Sequence, residues 1–224
     1  MWNVGSARTD AAPACPVCEA PRARFFVRVD DRDYWRCETC VATFLSPAQR
    51  PGRERERREY DLHRNRPDDA GYRTFLNRLA EPLTPRLRAG AAGLDYGCGP
   101  GPALAVMLRE AGFEVETWDP LYDPRAEALE RRYAFVTCTE VVEHMHHPAV
   151  EFRRLDRLLD PGGWLGIMTR FQSDDTRFAN WHYRRDPTHV VFYREATLRH
   201  IARRFGFSFH APSAGVALMR KPRA

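Results

Sequence analysis

The sequence predicts an α/β protein with a doubly wound, mostly parallel sheet, preceded by a small cysteine-rich module. Two CxxC pairs lie near the N-terminus, and short apolar segments alternate with helical ones after residue 90. The first of those apolar segments runs directly into a glycine-rich loop. Alternation of strands and helices with short turns is typical of a parallel sheet that helices cover on both faces.

Length and composition bound the class of protein. The chain has 224 residues, of which 43% are hydrophobic, enough for one full domain and a small module with a packed core. No apolar run approaches the ~20 residues of a membrane span, and residues 1–14 lack the basic and apolar regions of a secretory signal. We therefore expect a disordered segment over 1–14, a cytoplasmic location and no membrane partner.

The chain is basic, with a formal net charge of +5 and a pI of about 9.0. Such a balance can indicate a nucleic-acid partner. Here the basic residues are almost all arginines, since Lys221 is the only lysine, and many of them alternate with Glu or Asp. This spread favours a small-molecule partner, with RNA as the alternative, and leaves the oligomeric state open.

Residues 15–45 form the cysteine module. A CPVC segment and a CETC segment are separated by eighteen residues, which is the spacing of a two-knuckle zinc ribbon. The stretch between them alternates as a hairpin does, with Asp30 and Asp31 near its turn. Four thiolates fill a tetrahedral zinc site and leave no open position, so the predicted zinc is structural. Its predicted ligands are Cys15, Cys18, Cys37 and Cys40.

Other roles for the cysteines are less favoured. Neither CxxC pair opens a helix in a thioredoxin-like setting, which argues against a redox role. The two remaining cysteines, Cys98 and Cys138, lie in apolar strand-like segments and are expected to pack as small buried residues. The sequence therefore gives no reason to expect disulfides.

A helical linker or lid, residues 46–89, follows the cysteine module. Its first part is polar, and apolar residues at helical spacing predict a helix over 71–89 that Pro82 and Pro85 end or bend. Tyr60, His63 and Tyr72 could place this linker as a lid over a site in the next domain. The alternative, a solvated Arg/Glu helix, fits residues 53–59 well.

The remaining residues, 90–224, are predicted to form the main domain. Periodicity places strands at 93–98, 113–118, 135–138 and 164–169, and helices at 102–111, 124–131, 147–159 and 195–205. The segment Asp160-Pro-Gly-Gly is predicted to form a sharp turn, and 207–210 and 216–220 a closing antiparallel pair.

The glycine loop has the sequence LDYGCGPG, residues 94–101. Glycines there let backbone N–H groups approach a ligand closely, and the spacing is GxGxG, not the dinucleotide GxGxxG. Asp95 lies two positions before the first glycine, where a carboxylate would crowd a pyrophosphate but suits an amino group. Asp119, at the tip of the second strand, is placed to bind both hydroxyls of a ribose.

Four segments in order resemble the motifs of class I, Rossmann-like methyltransferases that use S-adenosylmethionine (SAM), of types 11, 12 and 23. LDYGCGPG and WDP resemble their first two motifs, and FVTCTEVVEH and DPGGWLGIMT resemble their fourth and fifth strands. The resemblance covers about 90–220 and implies SAM as the cofactor. The residues it implies for SAM are Asp95, Gly97, Gly99, Gly101, Asp119 and Thr139.

One stretch departs from the family pattern. The segment 121–134 is short and carries no clear acidic motif after a third strand, so the adenine contacts are left open among Leu121, Tyr122 and Thr139.

A ribbon before this fold resembles the arrangement in certain ribosomal RNA guanine methyltransferases and in sugar methyltransferases of antibiotic pathways. The whole chain looks most like a bacterial group with a ribbon, a YDLH-type linker and a WHYRRDPTHVVFY segment. We expect methyl transfer to an oxygen or nitrogen of a small molecule. The alternative is an RNA methyltransferase that uses the ribbon to bind RNA. A degenerate, non-catalytic fold is disfavoured by the intact glycine loop.

The predicted catalytic centre follows the fourth strand. If 140–144 is helical, Glu140, Glu143 and His144 share a face, and a later segment supplies His182, Tyr183, Asp186 and His189. This resembles the ExxEH motif and distal histidine of metal-dependent O-methyltransferases, which implies Mg²⁺ or another divalent cation on the acceptor hydroxyls. Without a metal, His189 or His182 could be a general base, or both could be structural. The predicted catalytic residues are Glu140, Glu143, His144 and His189, and no role is assigned to His146 or His147.

Overall fold

The computed structural model describes residues 12–62 and 66–223. Most of the segment predicted to be disordered, and His63 of the predicted lid, lie outside the described residues. In the described part of the chain, the strands form a four-stranded sheet and a six-stranded sheet. No helix within these ranges is long and apolar enough to cross a membrane.

The cysteine module folds as a short antiparallel meander. Its strands are β1 (Arg24–Val29), β2 (Arg32–Arg36) and β3 (Thr43–Leu45). The hairpin turns at Asp30 and Asp31, which both have a positive φ of 50° and 58°. Two successive positive φ values match the twist of a tight hairpin, and Asp tolerates that conformation better than most residues.

A fourth strand joins this small sheet from the far end of the chain. Strand β8 (Val191–Phe192) pairs with β3, with Thr43 opposite Phe192 and Phe44 opposite Val191. The sheet order is therefore β1-β2-β3-β8. The ribbon and the main domain share one hydrogen-bonded sheet.

Two helices of the linker precede the main sheet: α1 (Arg53–Tyr60) and α2 (Ala70–Leu83). All eight residues of α1 are described, and none is buried. Helix α2 begins at Asp69, whose carboxylate accepts the Tyr72 N–H at 2.6 Å, and buries Leu76, Leu79 and Leu83. The predicted helix 71–89 ends earlier, at Leu83, followed by a 3₁₀ turn, as its prolines suggested.

The six-stranded sheet runs in the order β5-β4-β6-β7-β10-β9. Its strands are β4 (Ala92–Tyr96), β5 (Glu114–Trp118), β6 (Tyr133–Thr139), β7 (Leu159–Met168), β9 (Ser208–Ser213) and β10 (Val216–Arg220). Strands β4, β5, β6 and β7 are mutually parallel. Strand β10 is antiparallel to both of its neighbours, β7 and β9. The strand order reverses at β4, so the crevice at its carboxyl end is the expected ligand site of a doubly wound sheet.

Helices cover both faces of this sheet, which confirms the predicted Rossmann-like class. The helices of the main domain are α3 (Ala103–Glu110), α4 (Pro148–Leu158), α5 (His182–Arg185) and α6 (Glu195–Arg204). Apolar residues of α2 and α3 form the core on one face. Those of α4 and α6 form the core on the other face, and this second core continues into the ribbon.

Two local predictions differ from the structure. In place of the helix predicted at 124–131, the structure has a 3₁₀ turn over Ala126–Leu129. The predicted turn Asp160-Pro-Gly-Gly lies inside β7 as a bulge, because Leu159 pairs with Tyr133 while Trp164 already pairs with Phe135. A Cβ atom at Gly163 would lie 2.9 Å from a backbone oxygen, so the bulge requires glycine there.

Candidate functional site

A cavity of about 840 Å³ opens at the carboxyl ends of β4, β5 and β6. Its walls are the glycine loop, the segments that follow β5 and β6, and the two linker helices α1 and α2. The lining includes most of the predicted cofactor and catalytic residues: Asp95, Gly97, Gly99, Gly101, Asp119, Thr139, Glu140, His144 and His189. Glu143 is fully buried behind this wall.

Two glycines of the loop, Gly97 and Gly99, have different structural roles. Gly97 has a φ of +77°, and a Cβ there would lie 2.5 Å from the side chain of Val141, so this glycine is needed by the packing. Gly99 has a φ of +64°, and no described heavy atom lies within 4 Å of the place where its Cβ would be. The backbone at Gly99 is therefore open to a ligand in the cavity.

Asp119 holds the loops on either side of it. Its Oδ2 accepts the N–H of Gly99 at 3.1 Å, and its Oδ1 accepts the N–H groups of Leu121 and Tyr122 at 2.8 and 3.1 Å. The residue is 8% exposed. Because two carboxylate oxygens offer about four acceptor positions and three are used by these N–H groups, one position remains for a ribose hydroxyl.

Asp95 lies on the floor of the cavity and is almost completely buried. Its Oδ1 accepts a hydrogen bond from Thr137 Oγ1 at 2.8 Å. Burial raises the pKa of Asp95 to about 6, and the Thr137 hydrogen bond only partly opposes this. A buried carboxylate of this kind is stabilised by a cationic partner, such as an amino group.

Two further features characterise the cavity wall. The Oγ1 atom of Thr139 is buried and has no hydrogen-bond partner among the described residues. On the α4 side, the ring of Tyr96 stacks on Trp118 with centroids 4.6 Å apart. The Tyr96 hydroxyl donates to Glu151 and accepts from Arg154, so this aromatic pair is fixed in place.

The two glutamates of the predicted catalytic centre differ in exposure, since Glu143 is fully buried and Glu140 is half-buried. Only Val142–His144 forms a 3₁₀ turn, and Glu140 lies outside it with a φ of +53°, so the expected shared helical face is not formed. Glu140 still reaches the cavity. Burial raises the pKa of Glu140 to about 7, and burial followed by repulsion from Glu140 raises that of Glu143 to about 8.

His144 and His189 each turn one ring nitrogen to a backbone carbonyl. His189 Nδ1 lies 2.6 Å from the Tyr183 oxygen, and His144 Nδ1 lies 3.2 Å from the Thr188 oxygen. A carbonyl can only accept, so Nδ1 donates, and in the neutral ring Nε2 keeps its lone pair. Glu143, His144 and His189 each offer one ligand atom within 4.8 Å of the others, which fits a divalent cation.

Only some residues of the segment 182–189 reach the site. Asp186 and His189 line the cavity, whereas the side chain of His182 is exposed and outside the lining. Burial alone would raise the pKa of Asp186, but His189, Thr188 and His144 hold it below its usual value.

Two of the predicted catalytic residues are tied together through their backbones. The N–H of Val190, which follows His189, donates to the carbonyl of Glu143 at 2.9 Å. The carbonyl of Val190 in turn accepts the N–H of Leu45, in strand β3, at 2.9 Å. The ribbon sheet therefore fixes the position of His189 relative to Glu143.

Helix α1 covers the cavity through contacts that the sequence pattern did not reveal. His146 Nε2 lies 2.8 Å from Glu56 Oε1, and Tyr60 packs its ring edge-on against His144 at 5.1 Å. The Tyr122 hydroxyl donates to Asp61 at 2.6 Å. The sequence predicts no role for His146, and its contact with Glu56 joins residues far apart in the chain, which no local spacing signals.

The four cysteines of the ribbon come together as their spacing predicts. Cys15 Sγ lies 3.6 Å from Cys40 Sγ, and Cys18 Sγ lies 3.5 Å from Cys37 Sγ, with all four sulfurs within 4.8 Å. Tetrahedral zinc with bonds of about 2.3 Å would separate its sulfurs by roughly 3.8 Å. The cluster therefore fits one zinc ion.

The family model of the methyltransferase domain matches residues 62–211 of this chain. Two ubiquinone biosynthesis O-methyltransferases match over shorter stretches. The protein of Serratia proteamaculans is 35% identical over 91 residues, 41% of this chain and 37% of that protein. The protein of Sodalis glossinidius is 35% identical over 85 residues, 38% of this chain and 34% of that protein. The matched part of this chain thus spans little more than a third of these relatives.

A solved structure shares the fold over most of the chain. It is the 1,6-didemethyltoxoflavin-N1-methyltransferase of Burkholderia thailandensis, with bound 1,6-didemethyltoxoflavin and S-adenosylhomocysteine (SAH). It is 19% identical, with a TM-score of 0.52, and the match covers 89% of this chain and 99% of that one. With the family model matching well over half of its length, this chain belongs to the methyltransferase domain family, the class I, SAM-dependent methyltransferases that its motifs resemble.

Proposed function

We propose that this protein transfers the methyl group of SAM to an oxygen of a small molecule. The observation that carries the proposal is that one cavity is lined by the glycine loop, by Asp95 and Asp119, and by three of the four predicted catalytic residues, with Glu143 buried behind its wall. The likeness to O-methyltransferases at 35% identity supports oxygen over nitrogen as the acceptor atom.

The residues of the chain fit SAM in chemistry as well as in position. Asp95 supplies a buried carboxylate for the amino group, and Asp119 keeps one acceptor position for a ribose hydroxyl. The open backbone at Gly99 lets the cofactor approach the loop. Thr139 Oγ1, which lacks a partner among the described residues, is available to the adenine or the acceptor. When bound, SAM supplies an electrophilic methyl group.

Glu143, His144 and His189 would hold a divalent cation such as Mg²⁺ in this proposal, with Glu140 beside them at the cavity wall. A cation there would lower the pKa of an acceptor hydroxyl. Both imidazoles are oriented for this role, because each donates Nδ1–H to a carbonyl and keeps Nε2 as an acceptor.

The same orientation allows a metal-free variant of the proposal. His189 Nε2 could accept the proton of the acceptor hydroxyl directly, since Nδ1 is held by the Tyr183 carbonyl and the ring lines the cavity. The exposed side chain of His182 makes it a weaker candidate for this role.

Calorimetry with SAH, followed by a methyl-transfer assay, tests the proposal. SAH should bind to the wild-type protein and NAD should not. If the cation is used, a chelator should abolish methyl transfer and added Mg²⁺ or Mn²⁺ should restore it. If His189 is a general base, chelation should have no effect. Preference for NAD over SAH would refute the cofactor assignment and the activity together.

Zinc in the ribbon completes the proposal as a structural ion bound by the four cysteines. In the alternative function, the ribbon would bind RNA, and the affinity for RNA would then fall steeply with salt concentration. Electrophoretic binding to total RNA at 50 and 200 mM salt separates the two. Tight, salt-dependent binding would favour the RNA alternative, and its absence the small-molecule acceptor.

A further inference from the structure

We propose that Tyr183 is a positioning residue that fixes two of the three groups of the cation site, Glu143 and His189. The inference rests on the proposed function, since it concerns the same cation. Tyr183 is 6% exposed and lies in the single-turn helix α5, between the ribbon and the cavity. No sequence motif singles it out for this role.

The contacts of Tyr183 reach both groups from one side chain and its own backbone. Its hydroxyl donates to Oε1 of Glu143. Its carbonyl accepts the Nδ1–H of His189 at 2.6 Å. Its ring packs against the imidazole of His189 with centroids 4.1 Å apart. One residue therefore holds the tautomer and tilt of His189 and one oxygen of the Glu143 carboxylate.

A second hydroxyl completes the support of Glu143. Thr169 Oγ1 donates to Oε2 of Glu143 at 2.9 Å and lies 3.0 Å from the Tyr183 hydroxyl. Each carboxylate oxygen thus has one hydroxyl donor behind it and keeps one further lone-pair position. Hydrogen bonds behind metal ligands orient them, and their loss usually weakens metal affinity by about 10- to 100-fold.

Tyr183 is itself held by its surroundings. The next residue, Arg184, is 2% exposed and donates to Asp30 of the ribbon turn at 2.7 Å. It also donates to the carbonyl of Ala179 at 3.0 Å. Trp181 packs its ring 5.1 Å from that of Tyr183. A short helix with so few residues of its own obtains its rigidity from these contacts.

The test is Mn²⁺ affinity measured by calorimetry on the SAH-bound, full-length protein. Tyr183→Phe removes only the hydroxyl and leaves the ring and the carbonyl on His189. We expect its Kd for Mn²⁺ to rise about 10- to 100-fold, with SAH affinity unchanged. The matched control is Tyr193→Phe, which removes another fully buried hydroxyl, one that donates to the Val142 carbonyl at 3.1 Å. Its Kd for Mn²⁺ should stay within about twofold of wild type.

The outcomes distinguish this inference from the proposed function. If wild-type protein binds SAH but no Mn²⁺, the proposed cation is refuted and the inference with it. Should wild type bind Mn²⁺ and Tyr183→Phe bind it equally well, the inference alone is overturned. If Tyr183→Phe loses SAH binding as well, the Mn²⁺ affinities of wild type and variant are compared without SAH. An unchanged Kd for Mn²⁺ in that comparison would overturn the inference.

Discussion

Two buried carboxylates, Asp95 and Asp119, lie at the cofactor end of the cavity in different environments. Asp119 accepts three backbone N–H groups, which stabilise its charge and hold the loops. Asp95 accepts the Thr137 hydroxyl and a backbone hydrogen bond from Ala105, and burial raises its pKa to about 6. A bound cationic group therefore gains more from Asp95, whereas a hydroxyl donor is well served by Asp119.

Replacing Asp119 with alanine should weaken SAH binding by at least tenfold. The variant loses the remaining acceptor position for a ribose hydroxyl and the contacts that hold the surrounding loops, and a hydrogen bond to a charged partner contributes about 1.5–3 kcal/mol. Calorimetric titration with SAH measures the change. Asp123→Asn is the control, since this carboxylate binds Thr117 and Arg125 outside the cavity lining. Equal affinity in Asp119→Ala and wild type would show that the ribose lies elsewhere.

The affinity for SAH should fall as the pH drops below about 6, the pKa of Asp95 in the free protein. Burial raises that pKa, so below pH 6 most molecules carry a neutral carboxyl that cannot pair with the ligand's ammonium group. Above pH 6 the carboxylate is ionised and the affinity should be constant. The Thr137 hydroxyl, the backbone of Ala105 and the charge of Arg109 oppose this rise in pKa, and the charge of Asp119 reinforces it.

Titrations with SAH between pH 4.5 and 8, without added metal, provide the measurement for this pH dependence. Asp95→Asn should bind more weakly at pH 8 and show a flat profile, because the variable charge is gone. A profile that falls below pH 6 in both proteins would assign the dependence to another group.

Residue roles could be predicted where a motif encodes them and not elsewhere. The glycine loop and Asp119 are adjacent in the pattern of strands, so their position in the cavity follows from the sequence order alone. Glu140 reaches the cavity through a left-handed backbone that a helical projection cannot represent. The role we infer for Tyr183 depends on contacts with Glu143 and His189, which no periodicity joins.

At the scale of elements, α1 is held over the cavity by polar contacts instead of by a buried face. Its residues are half-buried or exposed, while Glu56 and Tyr60 contact His146 and His144 at the wall. Beyond its last turn, Asp61 accepts the Tyr122 hydroxyl from the loop after Asp119. A helix with so little apolar contact opens at low free-energy cost, which suits a lid.

Removing the contact between the lid and the Asp119 loop should speed the release of SAH. Asp61→Ala deletes the acceptor for Tyr122 without altering the cavity lining. One exposed hydrogen bond has a small net value, so we expect the dissociation rate to rise by about two- to fivefold in stopped-flow displacement. Asp68→Ala is the control, an exposed carboxylate of the same linker that pairs with Arg66. An unchanged rate in Asp61→Ala would argue against α1 as a lid.

The strands and long helices follow from periodicity, and the irregular elements do not. Three predicted strands of the parallel sheet are found within two residues of their expected bounds, whereas β7 begins five residues earlier than predicted. The glycines and proline of the β7 bulge are typical of a turn as well, so the sequence alone predicts a turn there. Only the pairing of β7 with β6 distinguishes the bulge from a turn. Strand β8 has two residues, too few for any alternation to be recognised.

At the scale of the whole molecule, charged contacts fix the ribbon to the main domain on two sides. On one side, buried Arg36 donates to Asp175 at 2.6 Å, and Thr43 donates to Gln172 at 2.7 Å. On the other side, Glu19 accepts from Arg153 of α4 and Arg204 of α6, and these hydrogen bonds lower its pKa to about 2. The first side supports the segment that carries Tyr183 and His189.

The purified protein should contain one tightly bound zinc per chain, and Cys37→Ser/Cys40→Ser should contain none. Because the ribbon shares a sheet and a core with the main domain, zinc loss should also lower the Tm. If zinc adds about 3 kcal/mol to the free energy of unfolding, its loss should lower the Tm by roughly 6–12 °C for a chain of this size. Metal analysis and thermal unfolding measure both effects, with Cys98→Ser as the control that keeps its zinc. Zinc retained in the double variant would refute the ligand assignment.

Because β3 pairs with β8, the ribbon is difficult to replace with the ribbon of another protein. A fragment that begins at residue 46 would leave Val191 and Phe192 on an open sheet edge. It would also lack Tyr34, so Phe178 and Phe192 would lose their ring contacts with that residue. Exposed strand edges beside apolar surface recruit strands of other chains and aggregate. A ribbon transplanted from a relative would need a third strand that fits this edge, so the two parts of the chain are constrained to evolve as one unit.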